Sequence, residues 1–171
     1  KIKIVHNIKE LNNYYLDLII ICTPTDVSKK IYKQFVGKFH LLVEKPITLN
    51  LKELSKNLKK STNNRKIIKA GYNLKYDSGL DYIKKTLQSN SIGKIYYCKI
   101  SYANGTARSN SNNVGSIFDM ASHSVNLLMW LFNSKILNVI KTCNQKNEFS
   151  KTHPDNGFSI LKIKNILISL H

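Results

Sequence analysis

Apolar positions in the first seventy residues come as short continuous runs, separated by longer stretches in which they recur every three or four residues. The run LDLIIICTP, residues 16 to 24, is rich in β-branched side chains and stopped by proline, the pattern of a strand covered on both faces. Thr25 or Asp26 then offers a helix cap, and Val27, Ile31, Phe35 and Val36 recur at helical spacing as far as Gly37. HLLVEKP predicts the next strand. Asn50 caps a second helix with Leu51, Leu54 and Leu58 on one side and lysines on the other, and KIIKAGY, residues 66 to 72, is a third strand. Strand and helix alternating through tight joints predict an α/β fold built on a parallel sheet with right-handed crossovers.

Beyond Tyr72 the rhythm changes. SGLDYIKKTLQSN predicts a helix, Ser91-Ile92-Gly93 a turn, and KIYYCKISYANG a long alternating strand with one wet face. A polar loop, SNSNNVGS (109 to 116), leads into an amphipathic helix in which Val125, Leu128, Met129 and Phe132 face inward. FSILKIK (158 to 164) and NILISLH pair as a hairpin around Lys164-Asn165. A boundary falls near residue 73, dividing a parallel α/β part (1–73) from an α+β domain (74–171). The sheet of the second part is open and mainly antiparallel, and can serve as a wall or a dimer surface.

Composition narrows the function classes. With 171 residues, 42% of them hydrophobic, the chain can build one sizeable core or two smaller ones. No apolar run approaches the roughly 20 residues that span a bilayer, and KIKIVHNIKELNN does not read as a signal peptide. The formal charge of +17 is carried almost wholly by lysine, only Arg65 and Arg108 being arginine, and the lysines are spread along the chain. Solvated surface charge explains this better than a nucleic-acid footprint, which favours clustered arginine. Cys22, Cys98 and Cys143 lack any C-x-x-C spacing and read as buried, reduced thiols of a cytoplasmic protein, with no metal site.

Two constellations carry candidate chemistry. Ligands collect at the carboxyl ends of parallel strands, and here two strands end on Cys22-Thr23-Pro24 and Glu44-Lys45-Pro46. Alternation puts Lys45 on the opposite face from Glu44, with its ammonium at a half-desolvated rim where it can stabilise a developing alkoxide. A salt-bridged or snorkelling lysine is the plainer alternative. In FDMASHSVN, residues 118 to 126, Asp119 and His123 lie four apart and share one helix face, where the carboxylate can orient the imidazole as a general acid/base. A helix-starting aspartate with a satisfied core histidine accounts for the same spacing.

The order TPT (23–25), VEKP (43–46), GYNLKY (71–76), SIGKIYY (91–97), YANGTAR (102–108) and SIFDMASHSVNLLMWLF (116–132) resembles the glucose-fructose oxidoreductase, inositol dehydrogenase and rhizopine-catabolism (Gfo/Idh/MocA) family over nearly the whole chain. That resemblance implies part of a Rossmann-like domain binding NAD or NADP, followed by a substrate and dimerisation domain. It implies an oxidoreductase moving a hydride between the nicotinamide and a hydroxyl carbon of a sugar, cyclitol or nucleotide-sugar. An inactive sugar-binding or dimerising relative and an NAD-dependent glycosidase of the same fold are the alternatives. By resemblance, Lys45, Asp119 and His123 are catalytic, with His123 the base. Cys22, Thr23, Pro24, Glu44, Lys45, Pro46 and Asn73 line the cofactor; Lys75, Arg108, Asp119 and His123 face the substrate. The peptide bond before Pro46 is cis in some relatives. The expected partners are a small carbohydrate and a second copy of the chain, through the second domain's sheet, without nucleic acid or membrane.

The sequence also departs from the family pattern. No G-x-G-x-x-G occurs, so the pyrophosphate-holding turn is expected upstream of Lys1, with apolar surface of the first strand left bare, and further strands are expected beyond His171. Ser28 replaces a common histidine, Lys75 a common arginine, and Asn126 the aspartate that usually closes D-x-x-x-H-x-x-D.

Overall fold

The structure, a computed structural model, describes residues 3–103, 116–136, 138–145, 154 and 156–171. The chain divides into two units, Lys1–Gly71 and Tyr72–His171. The division falls two residues before the boundary read from the sequence, because Gly71 is still tied to the sheet, its amide donating to Val43 O at 2.8 Å. Asn73 therefore goes with the second unit.

In the first unit β1 (Leu18–Ile21), β2 (His40–Val43) and β3 (Ile68–Ala70) form a parallel sheet in chain order. Ile19 and Ile21 pair with Leu41 and Val43, so one face carries all four side chains into the core. Helix α1 (Thr25–Phe35) covers that face with Tyr32 and Phe35, and Val36 follows at its end. Fully burying such side chains contributes roughly 1.5–3 kcal/mol each. Neither Thr25 nor Asp26 caps α1 through its side chain. Pro24 holds the cap position, and its carbonyl accepts the Val27 and Ser28 amides at 3.0 and 2.8 Å. The helix ends at Gly37, whose φ of +78° suits a residue without Cβ; an added Cβ would sit 2.9 Å from Asn64 Nδ2.

Helix α2 (Leu51–Asn63) is capped by Asn50, whose side chain accepts the Glu53 amide at 3.0 Å. The leucine stripe expected to pack does so only in part: Leu54 is half-buried, while Leu51 and Leu58 are exposed. What joins α2 to α1 is polar. Asn57 Nδ2 donates to the buried Tyr32 hydroxyl at 2.8 Å, that hydroxyl lies 3.4 Å from Glu53 Oε1, and Lys33 pairs with the same carboxylate at 2.7 Å. Burial pushes the Tyr32 hydroxyl's pKa up, whereas the bond from Lys33 holds Glu53 below the usual carboxylate range. On the opposite sheet face Leu18, Ile20 and Ile67 are exposed, so within the described residues β1 is covered on one side only.

The second unit opens with the short 3-10 turn Leu74–Tyr76 and α3 (Ser78–Gln88), and then β4 (Tyr97–Ile100), α4 (Ser116–Leu131), β5 (Asn138–Gln145), β6 (Asn156–Ile163) and β7 (Ile166–Leu170). The sheet order is β4-β7-β6-β5, with β4 parallel to β7 and the remaining pairs antiparallel. The hairpin turn is at Lys164-Asn165. Lys164 adopts φ +53° there, and its ammonium donates to Phe132 O at 3.0 Å, satisfying a carbonyl at the end of α4. Leu128 of α4 packs against Leu161, Ile163, Ile168 and Leu170, with Val125 and Phe132 at the margin.

Three readings need correction here. Met129 is exposed while Leu127 is buried: the packed face runs through residues 123, 124, 127 and 128, one residue earlier than the sequence stripe. β4 is shorter than the alternation predicted, although the Tyr102 amide still donates to His171 O at 2.9 Å. β5 has no counterpart in the sequence pattern: its side chains, Val139 and Ile140 included, are all exposed and show no buried alternation, and pairing with β6 supplies the order. The cysteines also differ from expectation. Cys22 and Cys143 are exposed and only Cys98 is half-buried, where burial raises its thiol pKa. Among the described residues no helix is long and apolar enough to cross a membrane.

Candidate active site

Because β1 and β2 run parallel with Ile21 opposite Val43, the segments that follow them emerge side by side at the sheet's carboxyl edge. The Glu44 amide still reaches Ile21 O at 3.0 Å, and one residue later the ladder is left behind. Pro24 and Pro46 have no N–H to continue it. Cys22, Pro24 and Glu44 are exposed at this edge; Thr23, Lys45 and Pro46 are half-buried. The Glu44 carboxylate turns back to accept the Lys45 amide at 3.1 Å, and the Lys45–Pro46 peptide bond is cis.

The Thr23-Pro24 turn is locked from beneath. Ser28, fully buried in the first turn of α1, donates its hydroxyl to Thr23 O at 2.7 Å. With that hydrogen committed, the 2.9 Å contact between the two hydroxyls is donated by Thr23. The sequence marked Ser28 only as a departure from the family; its part in holding this turn depends on a contact across the strand-to-helix junction.

In the second unit α4 presents Asp119, half-buried, and one turn later His123, 8% exposed. Ser122 Oγ donates to Asp119 O at 3.1 Å. Two tyrosines flank the imidazole. Tyr72 meets it edge-on, with centroids 5.8 Å apart and planes at 87°, and Tyr102 lies at 5.7 Å with a tilt of 49°. Neither tyrosine was singled out from the sequence, since each is far from His123 along the chain and no spacing rule links them. Asn73 is exposed just before the 3-10 turn Leu74–Tyr76, and the half-buried Lys75 holds its ammonium 5.2 Å from the Tyr76 ring centroid. That 3-10 turn packs against α4. Arg108 and the loop 109–115 lie outside the described residues.

Each cluster has a defined chemical capacity. An imidazole can take or return a proton near neutral pH, and an ammonium can stabilise a developing oxyanion. The strand-end set of a threonine hydroxyl oxygen and a carboxylate as acceptors and an ammonium as donor, beside two prolines, fits the ribose hydroxyls and carboxamide of a nicotinamide nucleoside. It does not fit a pyrophosphate, which calls for the clustered backbone amides of a glycine-rich turn. Among the described residues no cluster of three or more His, Cys, Asp or Glu side chains could hold a metal ion.

Comparison with known proteins identifies the family of the chain. Residues 1–72 match the oxidoreductase family with an NAD-binding Rossmann fold, and residues 80–171 match the GFO/IDH/MocA C-terminal domain. Glucose-6-phosphate 3-dehydrogenase of Bacillus subtilis is 28% identical over 133 residues, covering 70% of this chain and 37% of that enzyme. The fold is shared with myo-inositol 2-dehydrogenase of Lactobacillus plantarum (TM-score 0.78, 19% identity, 97% of this chain and 53% of that one). It is shared equally with scyllo-inositol dehydrogenase of Lactobacillus casei, solved with NAD(H) and scyllo-inositol (TM-score 0.78, 16% identity, 95% and 52%). The chain thus spans well under half the length of the curated relative and about half that of the solved structures. With both of its parts matched by models of one family, the chain belongs to the Gfo/Idh/MocA oxidoreductases.

Proposed function

We propose that this chain carries the substrate-handling part of an NAD(P)-dependent dehydrogenase that acts on a ring hydroxyl of a sugar, cyclitol or nucleotide-sugar. The observation that carries the reading is His123, a nearly buried histidine one helical turn after Asp119, in a chain of this family. A bound nicotinamide supplies the hydride acceptor. The residues of this chain handle the rest. His123 takes the hydroxyl proton, the Lys45 ammonium stabilises the negative charge that develops on the oxygen, and Asp119 holds the imidazole. Cys22, Thr23, Pro24, Glu44, Pro46 and Asn73 border the nicotinamide and its ribose, while Lys75 and Arg108 select the substrate. The named relatives act on inositols and glucose 6-phosphate, which supports a cyclic polyol and leaves NAD and NADP both as candidates.

Self-association through the second unit's sheet is part of this reading, supported by exposed Tyr97, Phe158 and Leu167 on its strands. The three free cysteines support a reducing, cytoplasmic setting. The test is Lys45→Ala and His123→Ala in the full-length protein, assayed against a panel of cyclic polyols with each dinucleotide. Turnover should fall by about 10²–10⁴-fold, the range for losing a positioned proton-transfer or charge-stabilising group, and far more than dinucleotide affinity does. Wild-type turnover in either variant refutes its assignment.

A further inference from the structure

We propose that Tyr72 and Tyr102 are positioning residues for His123, acting through their rings and not through their hydroxyls. This deepens the function proposed above and rests on it for the catalytic consequence. The terminal torsion of a histidine is broad and roughly two-fold, so the imidazole plane is not fixed by its own rotamer and must be set by its neighbours. Two of these neighbours are aromatic and approach from different directions. Tyr72 stands nearly perpendicular to the imidazole at 87° and 5.8 Å, and Tyr102 approaches at 49° and 5.7 Å. Aromatic pairs favour such edge-on and tilted arrangements at these separations, because the positive ring edge meets a negative ring face. A ring held at two different angles cannot swing about its torsion without losing one of the contacts.

Tyr102 is itself anchored by backbone. The Tyr102 amide donates to His171 O at 2.9 Å, which fixes it to the end of β7. The imidazole is thus braced by elements remote from α4 in the sequence, and its direction does not depend on the helix alone. For a general base this matters because proton transfer requires a lone pair aligned within about 10–20° and within hydrogen-bond reach of the substrate hydroxyl.

The experiment compares Tyr72→Ala, Tyr72→Phe, Tyr102→Ala and Tyr102→Phe with His123→Ala in the full-length protein. Steady-state kinetics and the NMR resonances of the His123 ring protons are followed together. The alanine variants should lower kcat at least tenfold with KM changed less than threefold, and should move the ring-proton shifts as the neighbouring ring currents are lost. The phenylalanine variants should keep both. Wild-type kcat in the alanine variants, unmoved resonances, or equal loss in the phenylalanine variants overturns the inference, the last by giving the role to the hydroxyls. If His123→Ala itself retains turnover, the base assignment under the proposed function fails first. If it is inactive while the tyrosine variants are normal, only this inference fails.

Discussion

Leu128 is the point at which the helix bearing Asp119 and His123 is fastened to its sheet, and Leu128→Ala measures that fastening. The side chain is fully buried among Leu161, Ile163, Ile168 and Leu170. Removing about three carbon groups at roughly 0.8 kcal/mol each forfeits about 2.4 kcal/mol of transfer energy. The cavity left behind adds to this, because a β-sheet cannot collapse onto it, and the total should be about 3–4 kcal/mol, inside the range of roughly 2–5 for buried leucines. Trp130, the only tryptophan in the sequence, lies on the same helix with the Lys84 ammonium 3.9 Å from its ring centroid, so its fluorescence reports unfolding of this unit. At a urea slope of about 2 kcal/mol/M the midpoint should fall by roughly 1.5–2 M. Met129→Ala is the control one residue along. Met129 is 37% exposed, outside the packed cluster, and its truncation should cost less than about 1 kcal/mol. A loss below about 1 kcal/mol for Leu128→Ala, or an equal loss for Met129→Ala, would show that the helix is not fastened through the face described.

Two further outcomes follow from a carboxylate and from the thiols. Glu53, held below the usual carboxylate range by Lys33, contributes stability that is present above that range and is lost as pH falls through it. Urea midpoints of the first unit should therefore drop below about pH 4.5, the ordinary glutamate value, and Glu53→Gln should flatten that limb; an unchanged acid limb would reject the pairing. Thiol-reactive probes at neutral pH should modify Cys22 and Cys143 well before Cys98, whose thiol is half-buried with a raised pKa. Equal rates read by mass spectrometry would contradict that ranking.

Much of the first unit was legible because its signals are local. A β-branched run stopped by proline, an asparagine before a helix and a glycine after one act within a few residues of themselves, and they located β1, α2 and the end of α1. The second unit was less legible where order is borrowed. β5 has no buried side and exists by pairing with β6, and Met129 was misplaced because a helix face can be told from its neighbour only by what packs on it. The candidate site divided in the same way. Lys45 is announced by the proline after it, and Asp119 with His123 by four-residue spacing, whereas Tyr72 and Tyr102 carry no sequence signal for their contact with His123.

By itself the sequence determined the parallel sheet, its proline-ended strands, the family and the helix that carries Asp119 and His123, since periodicity, caps and motif order are properties of neighbouring residues. Only the tertiary structure decided that α1 and α2 are joined through Tyr32, Asn57 and Glu53, that Ser28 locks the Thr23-Pro24 turn, and that two tyrosine rings flank His123. Those contacts form between residues distant along the chain or across an element boundary, and their geometry is set by how whole elements pack.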